Sequence, residues 1–372
     1  MLADFISTNT SAGRCDYCGR AFNNPQAAYL SEIAELMAAV IIDEWADPGN
    51  ELPCESREGG YQGEVLDAFE LLEMIGFNPR SAGLFRDAAS FFGGQDWCKR
   101  DYFAATQAER HKFGWEGFCS VVKHERRYTF WSSMDDGNPP YHPDHLPPGQ
   151  MLAEIGSVIT RLGLIRTVAA GTRYWRVQCH PSHKPLMIPS RLTSPPVECA
   201  TKPNRMSPSG IPMFYGTEDF DTAILEAARD EEDNAATGVL FEVMRPLEVL
   251  HLNSRAKAVS YFAPNGREWR QQTEFLWYFA REVSTPIYPD DRQHIEYAPT
   301  QVFTEYVRFH LCSAAGKPVD GIRYLSSRTR RPCVVLFFEQ DDCLSSREGR
   351  PQSLRYVPGS DQMIPLDKPT AG

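Results

Sequence analysis

The sequence predicts an α+β protein of two parts: a helical first half, then a second half in which strands and helices are interspersed. Three observations carry this reading. Up to about residue 128 the apolar residues recur at helical spacing. Met134–Gly149, MDDGNPPYHPDHLPPG, then brings five prolines and two glycines together and reads as a linker. From Gly171 onward, short alternating or wholly apolar runs of strand length appear between further helices. The expected boundaries are 1–148 for an all-α domain (with the linker at 134–149), 150–342 for an α+β domain, and 343–372 for a polar tail containing Pro and Gly.

Residues 1–14 are small and polar. Cys15-Asp-Tyr-Cys18 followed by Gly19-Arg20 looks like half of a zinc knuckle. A structural zinc takes four ligands. No second CxxC follows, so Cys54 or a histidine from elsewhere would have to complete the set, and a reduced pair of cysteines in a turn is the preferred reading. Gln26–Trp45 carries Ile33, Leu36, Met37, Val40 and Ile41 at helical spacing and stops at Asp47-Pro48-Gly49-Asn50. Glu64–Ile75 is a second helix closed by Gly76, and 81–92 a third ended by Gly93-Gly94. Asp101–Arg110 and Gly114–Arg127 are expected as two further helices.

Beyond the linker, Gln150–Leu164 is helical again. Tyr174–Gln178 alternates as a strand with Arg176 as its polar member. Cys179-His180-Pro181-Ser182-His183 has metal-ligating residue types, but its prolines and missing fourth ligand argue against a metal. Pro185–Pro203 is a proline-rich loop that feeds Arg205. A short helix over Thr222–Asp230, capped by Asp219 or Asp221, turns Glu226 away from Ile224 and Ala228. Val239–Val243 and Leu247–Leu252 are strands, and Trp269–Glu282 and Pro299–Phe309 are helices, the latter with Gln301 and Glu305 as surface positions. Gly321–Leu325 and Cys333–Phe338 are the last strands; the final one is wholly apolar and so belongs in the middle of a sheet.

The totals bound the function. The chain has 372 residues, 42% of them hydrophobic and 12% aromatic, enough for real cores in two domains. A net charge of −11 argues against broad nucleic-acid binding, which needs a basic footprint. It leaves room for an anionic small ligand in a local basic pocket. There is no apolar run of 18 residues, and MLADFISTNT lacks the basic start and apolar core of a signal peptide. With ten scattered cysteines, the expectation is a cytoplasmic protein with reduced thiols and no membrane association.

The chemistry concentrates in Asn204–Ala228, NRMSPSGIPMFYGTEDFDTAILEAA. Arg205, Tyr215 and Glu226 follow at spacings of 10 and 11. An arginine grips phosphate as a two-pronged donor. A tyrosine stacks on a ring while offering a hydroxyl. A glutamate holds a ribose hydroxyl or stabilises positive charge at a sugar carbon. Taken singly, each is as readily a surface charge or a core aromatic; the combination argues for a site. The sequence has no GxGxxG, no GxxxxGK[ST] and no GxSxG.

The stretch resembles the central part of the RES domain, a family named after an arginine, a glutamate and a serine. The likeness continues in IEYAPTQVFTEY (295–306) and DGIRYLSSR (320–328), and GTRYWRV (171–177) is similar to the domain's opening strand. The segment from CDYC through ESREGGY to VKHERRY resembles the HEPN-like helical domain carried by one RES subgroup.

The resemblance implies an ADP-ribosyltransferase-like split sheet that clamps NAD⁺. Arg205 would bind the pyrophosphate, with Arg176 as a second cation. Tyr215 would pack on the nicotinamide or its ribose. Glu226 would stabilise the oxocarbenium-like transition state, and Ser326 would position a ribose hydroxyl or the carboxamide. The implied activity is cleavage of the nicotinamide–ribose bond by a toxin or defence effector, as an NAD glycohydrolase or phosphorylase. The alternatives are a protein ADP-ribosyltransferase or a non-catalytic nucleotide-binding or partner-docking module. The partners implied are NAD⁺, a helix-turn-helix antitoxin and further copies of the chain. HEPN ribonucleases pair an arginine with a nearby histidine, but their usual spacing is not visible around His124-Glu125-Arg126-Arg127.

Overall fold

The computed structural model describes residues 6–24, 26–55, 57, 59–134, 146–183, 189–227, 232–253, 259–263, 265–286, 292–344 and 352–366. Backbone contacts divide the chain into two compact units, 1–107 with 257–272, and 108–256 with 273–372. The linker expected over 134–149 falls mostly on residues 135–145, outside the described residues.

The first unit is mainly helical. Its elements are α1 (Leu30–Glu44), α2 (Pro48–Glu51), α3 (Ala68–Met74) and α4 (Ala82–Phe91), with two short β pairs: β1 (Trp45–Ala46) with β4 (Cys98–Lys99), and β2 (Cys54–Glu55) with β3 (Gly60–Tyr61). Helix α3 starts in a capping box: the Asp67 carboxylate accepts from the N–H of Glu70 at 2.9 Å, and the Glu70 carboxylate accepts from the N–H of Asp67 at 3.0 Å. Met37 and Ile41 of α1 meet Leu71, Leu72, Ala88 and Ala89 in the core, at the helical spacing that predicts α1. The Cys15–Cys18 segment is a tight turn in which Cys15 N–H donates to Arg20 O (2.9 Å) and Gly19 N–H to Cys15 O (2.8 Å). Gly19 takes φ 69° there, a conformation that favours glycine. Among the described residues no group of three His, Cys, Asp or Glu side chains could hold a metal ion.

The second unit holds α5 (Gln107–His124, all but its first residue), α6 (Pro148–Arg161), β5 (Ile165–Val168), β6 (Arg173–His180), β7 (Phe214–Thr217), α7 (Phe220–Glu226), β8 (Ala235–Val243) and β9 (Leu247–His251). It continues through most of α8 (Gly266–Val283), α9 (Gln293–Glu296), α10 (Ala298–His310), β10 (Gly321–Leu325), β11 (Pro332–Leu336), α11 (Gln340–Leu344), β12 (Leu354–Tyr356) and β13 (Gln362–Pro365). Asp101–Arg110 and Gly114–Arg127, expected as separate helices, give way to the single helix α5, and Asp101 instead turns at φ 53°. Gly114 lies inside α5, where a Cβ would stand 2.8 Å from Cβ of Leu146 and 3.0 Å from Sδ of Met151. That glycine permits close packing and does not end the helix.

Strands β5–β13 form one nine-stranded sheet in the order β12-β8-β6-β7-β11-β10-β9-β5, with β13 also on β8. All pairs are antiparallel except β9 with β10. The apolar run of β11 sits between β7 and β10, as its composition predicts. The sheet is in two halves. β6 pairs with β8 along its whole length, yet meets β7 only at Trp175–Thr217. The sheet is covered on both faces: Phe241, Phe214, Val334 and Leu336 pack in the core cluster of one face, and Val335 and Ile322 pack with Phe279, Phe303 and Met151 on the other.

The tail expected over 343–372 is a correction. Leu354 pairs with Val243, and Gln362 with Gly238, so this segment supplies two strands along the edge of β8. β8 is apolar and almost continuously buried, and an open edge there would leave its ladder groups unpaired.

Candidate active site

The site is built where the two half-sheets part. A cavity of about 1320 Å³ opens there, with Arg176, Arg205, Tyr215, Glu226 and Tyr324 among the residues that line it. It lies wholly within the second unit.

Glu226 is the last residue of α7. Asp219 caps that helix, its carboxylate accepting from the N–H of Thr222 at 2.9 Å. Thr222 and Ala223 turn into the protein while Glu226 is exposed. Its Oε1 accepts from Oγ of Ser326 at 2.5 Å. Ser326 is completely buried, and its Oγ also accepts the N–H groups of Arg328 (3.1 Å) and Thr329 (3.0 Å). A hydroxyl has one proton and two lone pairs. With both lone pairs engaged, the proton of Ser326 is aimed at Glu226. Arg328 closes the arrangement by donating to the carbonyl of Leu225 at 2.7 Å.

Arg205 is held in its loop from several sides. Its guanidinium donates to the carbonyls of Val283 (3.0 Å) and Thr285 (2.5 Å) and lies 5.6 Å from the ring centre of Tyr297. Its own carbonyl accepts from Thr300 Oγ1 at 2.6 Å. Gln301 donates to the carbonyls of Asn204 (2.8 Å) and Ser207 (3.3 Å). Gln301, expected on the helix surface, is 9% exposed and braces this loop.

Tyr215, on β7, shares a 2.9 Å hydrogen bond with Ser207 through its hydroxyl, and burial pushes its pKa up to about 12. Arg176 lies beside it on β6. Where the β6–β7 ladder fails, its Nη1 donates to the carbonyl of Tyr215 at 3.4 Å. Its Nε is buried and has no partner among the described residues. Burial lowers the pKa of both Arg176 and Arg205, but an arginine starts so high that both stay cationic. An acidic chain thus keeps two arginines at one cavity that a carboxylate fixed by a serine also lines.

All five residues singled out in the sequence therefore gather in this region: Arg176, Arg205, Tyr215 and Glu226 line the cavity, and Ser326 supports Glu226 from beneath. Sequence reasoning missed Ser207, Tyr297 and Tyr324. Ser207 and Tyr297 carry no periodic signal, and Tyr324 reads as a core aromatic in a strand. The Cys179–His183 segment assembles no metal site among the described residues. His180 instead donates from Nδ1 to the carbonyl of Pro181 (2.9 Å) and accepts at Nε2 from Thr237 (2.8 Å). No helix among the described residues is long and apolar enough to cross a membrane.

Residues 8–136 match the family model of the HEPN/RES N-terminal domain 1, and residues 173–357 match that of the RES domain. No curated protein and no solved structure matches the chain significantly. The RES domain suggests an NAD-related, toxin-like function. The RES match takes in every residue that lines the cavity, and the chain has the architecture that sets a HEPN/RES N-terminal domain ahead of a RES domain.

Proposed function

We propose that this chain consumes NAD⁺ by cleaving the bond between nicotinamide and ribose, as a glycohydrolase or phosphorylase. The observation that carries the reading is the Glu226–Ser326 pair on the wall of a cavity that two arginines also line. In NAD⁺ the leaving group is a pyridinium, so it departs as neutral nicotinamide with the bonding electrons and needs no general acid. Positive charge then builds on the ribose at C1′. The carboxylate of Glu226, oriented by Ser326, stabilises that charge without reorganising. Arg205 and Arg176 hold the pyrophosphate, and Tyr215 forms a wall for the nicotinamide ribose. An oxygen of water or inorganic phosphate completes the C1′–O bond; where water is the acceptor, its proton passes to solvent.

Loss of NAD⁺ would damage the cell that makes the protein. The reading therefore carries a toxin or defence role and a neutralising partner, a helix-turn-helix antitoxin being the one the family likeness implies. The test is nicotinamide release by the purified full chain, with and without inorganic phosphate, beside Glu226→Gln. Glutamine keeps the size and an acceptor for Ser326 but removes the charge. Release is expected to fall by about 10²–10⁴-fold. A wild-type chain that releases no nicotinamide under either condition overturns the proposal.

A further inference from the structure

Tyr215 is the tyrosine that the sequence brings forward, but its hydroxyl is already engaged with Ser207. A second tyrosine stands in the same cavity with its hydroxyl uncommitted. Tyr324 lies on β10, two residues before Ser326. Ser326 carries the pairing one residue past the end of β10, its N–H donating to Arg331 O at 2.8 Å; side chains two apart on extended chain share a face, so Tyr324 points to the side from which Ser326 reaches Glu226. The register agrees. Tyr324 is opposite Cys333, and Cys333 is opposite Thr217, which is two residues from Tyr215 on β7. Tyr215, Tyr324 and Ser326 therefore belong to one face of the sheet.

The side chain of Tyr324 is buried, at 9% exposed, yet it lines the cavity. Its hydroxyl has no hydrogen-bond partner among the described residues, nor is it one of the sealed polar atoms left without a partner. Its phenol group titrates well above the ordinary range, first because it is buried and then because Cys333, Tyr215 and Glu226 oppose another negative charge. It is thus a neutral O–H donor across the working pH range. A buried tyrosine hydroxyl normally finds a partner. Here the open direction is the cavity.

We infer that Tyr324 is a substrate-contacting residue whose hydroxyl donates a hydrogen bond to an oxygen at the ribose–nicotinamide end of the bound dinucleotide. Tyr215, by contrast, contributes its ring and holds the Arg205 loop through Ser207. The assignment rests on the NAD⁺ reading above. It locates the ligand by chemistry: the free donor sits with the serine–glutamate pair, at the end where C1′ reacts.

The experiment compares Tyr324→Phe with the wild type and with Tyr215→Phe. Phenylalanine keeps the ring and its packing, so the thermal midpoint of Tyr324→Phe should stay at the wild-type value. Its kcat/KM for nicotinamide release should fall about tenfold, the worth of one hydrogen bond to a substrate. Binding of ADP-ribose and of free nicotinamide, measured calorimetrically, assigns the contact, since Tyr324→Phe must weaken at least one. Tyr215→Phe frees Ser207 and should lower the thermal midpoint, a shift that Tyr324→Phe does not produce. An active wild type with an unchanged Tyr324→Phe overturns the assignment alone. A wild type that neither binds nor cleaves NAD⁺ overturns the functional reading and the assignment with it.

Discussion

Arg176 presents a buried Nε–H with no acceptor among the described residues, while Arg205, the arginine of the family likeness, has two of its prongs engaged by the carbonyls of Val283 and Thr285. A buried unsatisfied donor costs about 1–3 kcal/mol. That Nε is sealed from the cavity, but the side chain of Arg176 lines it as a second cation, so Arg176 is expected to contribute to the binding of an anionic ligand alongside Arg205. Arg176→Lys keeps the charge but loses the planar fork. Calorimetry with NAD⁺ on this variant should show an affinity about tenfold lower, with the thermal midpoint held; an unchanged affinity would remove Arg176 from the ligand's contacts. At this scale the sequence is informative where residue types converge and silent where they share a role with the core. Helical phase sets Glu226 opposite Ile224, and the structure agrees. Phase cannot tell whether the wet side faces bulk water or a cavity. Tyr324 is illegible for the reason that an aromatic in a strand is, by default, packing.

The segment Asn204–Ser207 is a loop given its shape by a helix far away in sequence. The first turn of α10 supplies Thr300 to the carbonyl of Arg205 and Gln301 to those of Asn204 and Ser207. Both side chains lie on the buried side of a helix whose other buried members include Phe303 and Val307. Polar residues on an apolar face were the available signal, but from Gln301 and Glu305 alone the pattern reads as surface. Gln301→Leu is near in size and removes the side-chain donor from the carbonyls of Asn204 and Ser207, which then keep only each other's N–H groups. It is expected to cost about 1–3 kcal/mol in urea unfolding and to lower kcat/KM by displacing Arg205. Loss of stability with kinetics unchanged would show that the loop keeps its shape without the helix. Strand β10 makes a second demand. Gly321 sits where a Cβ would collide with the backbone carbonyl of Val335, an atom that cannot move aside as a side chain can. Gly321→Ala should destabilise by about 1–3 kcal/mol and loosen the strand that carries Tyr324 and leads into Ser326.

At the scale of the whole chain, helical and strand textures are local properties and were legible, whereas the order of strands in the sheet is set by pairings across long stretches of sequence. The parallel contact of β9 with β10 and the two strands that cover β8 from beyond residue 350 have no local signature. One non-local pairing also decides how stability responds to acid. His251, at the end of β9, is in register with Arg323 of β10. Its Nε2 is buried without a partner among the described residues, and its pKa is lowered to about 4, first by burial and then by the positive charges of Arg323 and Arg166. In the unfolded chain a histidine takes up its proton near pH 6.5. Between about pH 4 and 6.5 the unfolded state therefore binds more protons than the folded one, and stability rises with pH across that window. The contribution is complete above about 6.5 and is lost as the pH falls towards about 4. Urea midpoints taken between pH 7 and pH 4.5 should decline for the wild type and decline less steeply for His251→Phe, which cannot be protonated. Parallel slopes for the two proteins would mean that His251 takes up its proton as readily in the fold as in the unfolded chain, and would remove it from the acid response.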